Sequence, residues 1–233
     1  MIPIQDTIRS RQFSWMNYSI ILMNALVFLY QLRLPAAEME QFFFRFGAVP
    51  TQVLAEPSLA QIGTLFSSMF VHGGWFHLIS NMWALFIFGD NINDCMGGFR
   101  YLFFYITAGL GAAALHIFML SESNIPVVGA SGAIAGVMGA YVILYPKAKV
   151  ITLIPLGFFW FVRIPAVIFL GFWFFSQLGQ GLLAITADAP PGAQGGVAWW
   201  AHIGGFVIGM ILVLVLRDRE AAACSYEEDY SPW

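Results

Sequence analysis

The sequence predicts an all-α polytopic membrane protein built as a bundle of six transmembrane helices, and three observations predict it. Hydrophobic residues fill 59% of the 233 positions and charged ones 10%, with a mean hydropathy of +0.75, far from the composition of a soluble domain. Six apolar stretches approach the ~20 residues needed to cross about 30 Å of hydrocarbon. The cations gather on one side of those stretches. Net charge is −3 with no basic block, so the expected surroundings are a lipid bilayer and no nucleic-acid partner is expected.

Taken in order, the expected spans are 17–32, 75–88, 101–120, 131–145, 166–184 and 197–216. Residues 1–16 read as a cytoplasmic N-terminal segment, 17–216 as the six-helix domain and 217–233 as a cytoplasmic tail. Arg9 and Arg11 precede the first span, but no small-x-small cleavage site follows it, so it reads as a span and not as a removed signal. The second and fourth stretches are short, which suggests ends sunk below the surface. An even number of spans puts both termini on one side. Arg9, Arg11, Arg100, Lys147, Lys149, Arg163, Arg217 and Arg219 fall on that side and only Arg33 and Arg45 opposite, which makes it cytoplasmic. The short N-terminus and lack of appended domains point to a bacterial cytoplasmic (inner) membrane.

This orientation starts spans two, four and six at the outer face, and the polar residues collect there. His72, His77 and Asn81 lie at the start of span two, Ser131 opens span four, and His202 sits about 7 or 8 Å into span six at ~1.5 Å per residue. Polar groups in hydrocarbon are costly and by default mark function; the alternative is that they only tie helices together by hydrogen bonds. Convergence from three helices on one level favours function. His77 and Asn81, four apart, share a helix face. Gly129 and Gly132 clear the space around Ser131, where the free N–H groups of a helix start point at any bound anion. Gly132, Gly136 and Gly139 on span four, and Gly205 and Gly209 on span six, allow the two backbones to approach until the His202 ring reaches the Ser131 hydroxyl.

Such a pair is a nucleophile and its general base. The Gly132 N–H, the Asn81 amide and the His77 ring are expected to meet the developing oxyanion. No carboxylate stands near His202 in sequence or at the right depth, so a dyad is expected and not a triad. Cys95 and Cys224 are far apart in the chain and read as incidental, with neither a disulfide framework nor metal-ligand spacing. Zinc on His72, His77 and His202 is disfavoured because no HExxH is present and the flanked serine would have no purpose. No metal and no cofactor are expected. His116 reads as a packing or interface residue.

The motifs His72-x4-His77-x3-Asn81, Gly129-Ala130-Ser131-Gly132 and His202-x2-Gly205-x3-Gly209, in that order on alternate helices, resemble the rhomboid intramembrane serine proteases, and the resemblance runs from about Ile8 to Leu216. It implies a rhomboid-like bundle with a water-accessible cavity open to the outer face, Ser131 as nucleophile, His202 as base, Asn81 and His77 as oxyanion partners, and a structural role for His72. Two features depart from the pattern. Gly63 and Thr64 stand where many relatives carry Trp-Arg, and Ala135 replaces an aromatic that packs on the histidine, a place Trp199 or Trp200 is expected to take. Residues 42–50, FFFRFGAVP, read as an interfacial element in the outer leaflet. The segment 188–196, DAPPGAQGG, is expected to be a mobile cap that moves with span five to admit substrate. The resulting expectation is an endopeptidase that cuts transmembrane protein substrates near the outer face. The alternative is a catalytically silent relative that binds membrane proteins. A channel ranks lowest, since span four beyond Ser131 is sealed by Ala, Val, Met and Ile. Composition says nothing of the oligomeric state.

Overall fold

Six helices carry the bundle, in the order the hydropathy predicts. The computed structural model describes residues 1–55, 57–156, 158–186, 197–218 and 224. Along the chain run a strand β1 (Ile2–Asp6) and helix α1 (Trp15–Gln31), then three short helices of the outer segment, α2 (Ala36–Phe46), α3 (Pro50–Ala55) and α4 (Leu59–Ser67), ending in a 3₁₀ turn (Ser68–Phe70). There follow α5 (Trp75–Met96), α6 (Gly98–Met119), α7 (Ser131–Leu144), a hairpin of β2 (Lys149–Leu156) and β3 (Phe158–Pro165), α8 (Ala166–Thr186) and α9 (Trp199–Leu216). Among the described residues, three helices are long and apolar enough by themselves to cross a membrane, within α6, α8 and α9. Helices α1 and α7 are shorter, with 17 and 14 residues, and α5 carries Asp90 and Asp94 near its end.

Two boundaries differ from the expected ones. The second span is not short: α5 has 22 residues and continues to Met96. Its polar last turns look like a loop by hydropathy, yet they are satisfied from the N-terminal segment. Asn91 Nδ2 donates to Asp6 Oδ2 at 2.8 Å, the Arg11 N–H to Asp94 Oδ2 at 2.6 Å, and Ser14 Oγ to the Asp90 carbonyl at 2.9 Å. Gly97, with φ of +76°, stops the helix at a conformation most side chains avoid. Helix α9 starts at Trp199, so His202 lies in its first turn and not deeper.

At the cation-rich end a three-stranded antiparallel sheet, in the order β1-β2-β3, joins the N-terminus to the segment between α7 and α8. Its hairpin sequence, KVITLIPL and FFWFVRIP, is dense in β-branched and aromatic residues. The same end corrects the reading of the cysteines as incidental. Cys95 and Cys224 are joined in a disulfide with Cα atoms 4.9 Å apart. A sequence separation of 129 residues hides the pairing, because α5 and α9 both run toward this end. There the Asp218 N–H reaches the Cys95 carbonyl at 3.2 Å.

The centre of the bundle is α7, packed between α9, α6 and α5 and buried over most of its length. A Cβ on Gly205 would collide with the Gly132 carbonyl, one on Gly209 with the Gly136 carbonyl, and one on Gly139 with the Phe206 carbonyl. Backbone therefore touches backbone along the α7–α9 seam, as small residues permit. On its other flank α7 rests on Ala108 and Ala112 of α6. Asn17 of α1 ties neighbouring helices together, donating to the Leu85 carbonyl at 3.1 Å and accepting from the Tyr101 hydroxyl at 2.8 Å.

Candidate active site

The approach to α7 is fixed from the outer segment. Ala48 and Val127 exchange backbone hydrogen bonds of 3.0 and 2.8 Å, and the Gly129 N–H donates to the Ser68 carbonyl at 2.9 Å. Further pinning comes from Ser67 Oγ on the Phe46 carbonyl, 2.7 Å. Thr64, at one of the positions that depart from the family pattern, is buried with its hydroxyl on the Gln61 carbonyl at 2.6 Å, while the space around Gly63 is open. Gly129 has φ of +122°, in the region glycine favours, and a Cβ there would lie 2.5 Å from His77 Nε2. Two residues later the chain enters α7 with no side-chain cap, which leaves the Ser131 hydroxyl to other partners.

His202 is that partner. Its Nε2 lies 2.8 Å from Ser131 Oγ, across the seam where Gly205 admits the Gly132 carbonyl. Both residues are half-buried. The other ring nitrogen, Nδ1, lies 2.7 Å from Gln177 Oε1. No carboxylate was expected at this place and the partner is an amide on α8, a buried residue that the sequence analysis passed over. Trp173, one turn earlier on α8, was missed as well: its ring centroid is 5.6 Å from that of His202, tilted by 36°. Trp199 meets the imidazole edge-on at 6.4 Å, and Trp200 lies against Gly181 instead. The aromatic contact that Ala135 cannot supply therefore comes mainly from α8. A signal for both missed residues was present, since Trp173 and Gln177 are four apart and Gln177 is a polar side chain inside an apolar span.

On the opposite side of Ser131, α5 presents His77 and Asn81 to Gly129, where an added Cβ would stand 3.7 Å from Asn81 Nδ2. Asn81 is buried, and among the described residues its Nδ2 has no hydrogen-bond partner. A buried amide donor left unsatisfied costs about 1–3 kcal/mol, so it stands ready for an acceptor. His77 Nδ1 receives the Gly73 N–H at 3.3 Å. His72 is set back from Ser131, with its ring centroid 5.1 Å from that of His77 and its Nδ1 3.3 Å from the Phe70 carbonyl. Its backbone exchanges hydrogen bonds of 2.9 and 3.1 Å with the Gln31 side chain of α1. His116 is buried in α6. Behind Ser131, a cavity of ≈ 20 Å³ bounded by Ser68, Gly109, Ala112 and Gly132 has room for about one water. Among the described residues no group of three His, Cys, Asp or Glu side chains is placed to hold a metal. The segment 188–196, expected as a cap, lies outside the described residues.

A hydroxyl hydrogen-bonded to an imidazole, with an amide donor facing the same loop and unpaired among the described residues, has the geometry for nucleophilic attack on a carbonyl. The fold and site thus define a helical membrane protein with a serine–histidine contact at the start of its central helix. Residues 59–219 match the family model described as the Rhomboid domain, and the chain belongs to that family. It is 34% identical over 162 residues to RHOMBOID-like protein 4 of Arabidopsis thaliana, covering 66% of this chain and 34% of the relative. It is 29% identical over 211 residues to the mouse (Mus musculus) presenilin-associated rhomboid-like protein, mitochondrial, covering 86% and 50%. To Rhomboid protease AarA of Providencia stuartii it is 28% identical over 212 residues, covering 84% and 70%. The match thus spans about a third of the first relative's length and half of the second's.

Proposed function

We propose that the protein is an intramembrane serine endopeptidase that cleaves transmembrane protein substrates near the outer face of the membrane. The observation that carries this reading is the 2.8 Å contact between Ser131 Oγ and His202 Nε2. One relative is itself named a rhomboid protease, which adds support at the level of the family.

In the proposed reaction His202 Nε2 takes the Ser131 proton as the oxygen bonds to the substrate carbonyl carbon. The oxyanion that forms is met by the Asn81 amide, His77 and the Gly132 N–H, each donor contributing roughly 10² to 10³ in rate. His202 then gives its proton to the amide nitrogen, the C–N bond breaks, and the amine product leaves an ester on Ser131. Water attacks that ester while His202 takes its proton. Collapse frees the carboxylic acid and returns the proton to Ser131. His72, Gly129, Gly136, Gly205 and Gly209 act structurally, holding the loops and the seam that bring these groups together.

A substrate helix has its carbonyls in hydrogen bonds, so it must unwind before Ser131 can reach one. Gly or Pro near the top of the substrate's span lowers that cost. With the cations on the terminus side facing the cytoplasm, the site opens toward the outer leaflet of a bacterial inner membrane. The donor of Asn81, buried and without a partner among the described residues, favours this reading over a silent binding role, which has no use for an oxyanion donor.

The test is reconstitution in liposomes with a model transmembrane substrate. Ser131→Ala and His202→Ala are each expected to lower cleavage by at least about 10³-fold. Alanine variants that cut as well as the parent would end the proposal.

A further inference from the structure

We propose that Gln177 is the positioning residue that holds His202 in the one tautomer able to serve Ser131, and that Ser176 decides which end of the Gln177 amide faces the ring. This inference rests on the proposed roles of Ser131 and His202.

A neutral imidazole carries one N–H, and its place is set by what surrounds the two nitrogens. To accept the Ser131 proton, Nε2 must be bare and the hydrogen must sit on Nδ1. That N–H needs an acceptor, and Gln177 Oε1 lies 2.7 Å away. An amide can also turn its NH₂ toward the ring, which would put the hydrogen on Nε2 and leave the histidine no lone pair for the serine. Ser176 removes that option. Its Oγ donates its single hydrogen to the Trp173 carbonyl at 2.6 Å, so toward Gln177 it can only accept. Gln177 Nε2 donates to it at 3.2 Å, which leaves Oε1 facing His202. Every hydrogen then points one way: Ser131 Oγ–H to His202 Nε2, His202 Nδ1–H to Gln177 Oε1, Gln177 Nε2–H to Ser176 Oγ, and Ser176 Oγ–H to the Trp173 carbonyl.

Reversing any amide or ring in that chain leaves two donors or two acceptors facing each other. Trp173, four residues before Gln177 on the same face of α8, lies against the imidazole and limits its rotation. An uncharged amide also suits its position, because α8 is a span in which an unpaired carboxylate would be costly. The imidazolium formed during turnover is thus held by an oriented dipole instead of a charge.

The experiment measures kcat, KM and the pH profile for cleavage of a model transmembrane substrate in liposomes. It compares the parent with Gln177→Ala, Gln177→Glu, Ser176→Ala, Ser131→Ala and His202→Ala, with a thermal melt for each. Gln177→Ala is expected to lower kcat roughly 10- to 100-fold with KM within about twofold, as loss of an orienting partner does. Ser176→Ala should give a smaller loss in kcat alone. Gln177→Glu keeps an acceptor on Nδ1–H and is expected to retain turnover. Its carboxylate favours the imidazolium, so the acid limb of its pH profile should move up by about one unit or more. Among the described residues, the other titratable groups acting on His202 are His77 of α5 and His116 of α6, and both stay the same in these variants.

Inactive Ser131→Ala and His202→Ala beside Gln177 variants that match the parent in kcat and pH profile would overturn this inference and leave the proposed function standing. Ser131→Ala that cuts like the parent would overturn both. If Gln177→Ala melts too low to assay, the acid limb of Gln177→Glu decides, and an unmoved limb overturns the inference.

Discussion

Asn81 carries the sharpest test at the scale of a single residue. Its side-chain nitrogen is buried, unpartnered among the described residues and directed at the loop before Ser131. A donor used only when an oxyanion forms affects kcat and leaves ground-state binding alone. Asn81→Ala should therefore lower kcat by roughly 10²- to 10³-fold with little change in KM, measured on the same reconstituted substrate. Asn81→Asp, which replaces the donor by an acceptor of the same shape, should do no better. Equal losses in kcat and in protein stability would instead assign Asn81 to packing. His77 shares its helix face, but its Nδ1 is already engaged by the Gly73 N–H, so the proposed oxyanion role would fall to Nε2.

Among the helices, the α7–α9 seam is where geometry is least forgiving. Gly209 admits the Gly136 carbonyl at the distance of bare backbone contact, and any side chain there must push the two helices apart. Gly209→Leu is expected to destabilise the fold by about 1–3 kcal/mol or more, as overpacking does, and to lengthen the Ser131–His202 contact two turns away. Gly171 of α8, where an added Cβ meets nothing within 4 Å, is the control, and Gly171→Ala should not lower the melting temperature, since Ala favours a helix over Gly. Thermal melts in detergent and cleavage rates check both. Helix periodicity already put Gly205 and Gly209 on the His202 face, so the seam was legible in the sequence. The role of α8 was only half legible: the spacing of Trp173 and Gln177 and a polar side chain in an apolar span mark the pair, but not that both turn inward to His202.

For the whole molecule, the N-terminal strand is a clamp whose hold depends on protonation. Asp6 of β1 accepts from the Tyr141 hydroxyl at 2.5 Å and from Asn91 Nδ2 at 2.8 Å, joining the sheet to α7 and α5. Burial pushes its carboxyl up to about 8 from the usual 3.8; the Tyr141 hydroxyl opposes the shift and Asp90 adds to it. Between those two values the folded protein holds a proton that the unfolded chain has released. Asp6 therefore contributes stability that is complete below about pH 4 and is lost, by up to about 1.4 kcal/mol per pH unit, as pH rises toward 8. Asp6→Asn should remove that contribution, which the difference between parent and variant thermal melts from pH 5 to 9 measures. An Asp6→Asn variant whose melting temperature follows pH just as the parent's does would contradict the assignment. The Cys95–Cys224 disulfide ties down the same end, so Cys224, which hydropathy assigns to a tail, takes part in the fold as β1 does.

By itself the sequence determined the membrane-spanning class, the order of the helices and the three motifs that meet at Ser131, because all of these follow from hydropathy and helical spacing, which are local properties of the chain. Only the tertiary structure decided what stands behind His202, how far α5 runs, and which cysteines pair. Each of those depends on contacts between residues 25 to 129 positions apart. Local periodicity gives the face of one helix but not the rotation or depth at which a second helix meets it. That is why helical spacing alone does not bring the amide of Gln177 on α8 to His202, beside whose ring it stands.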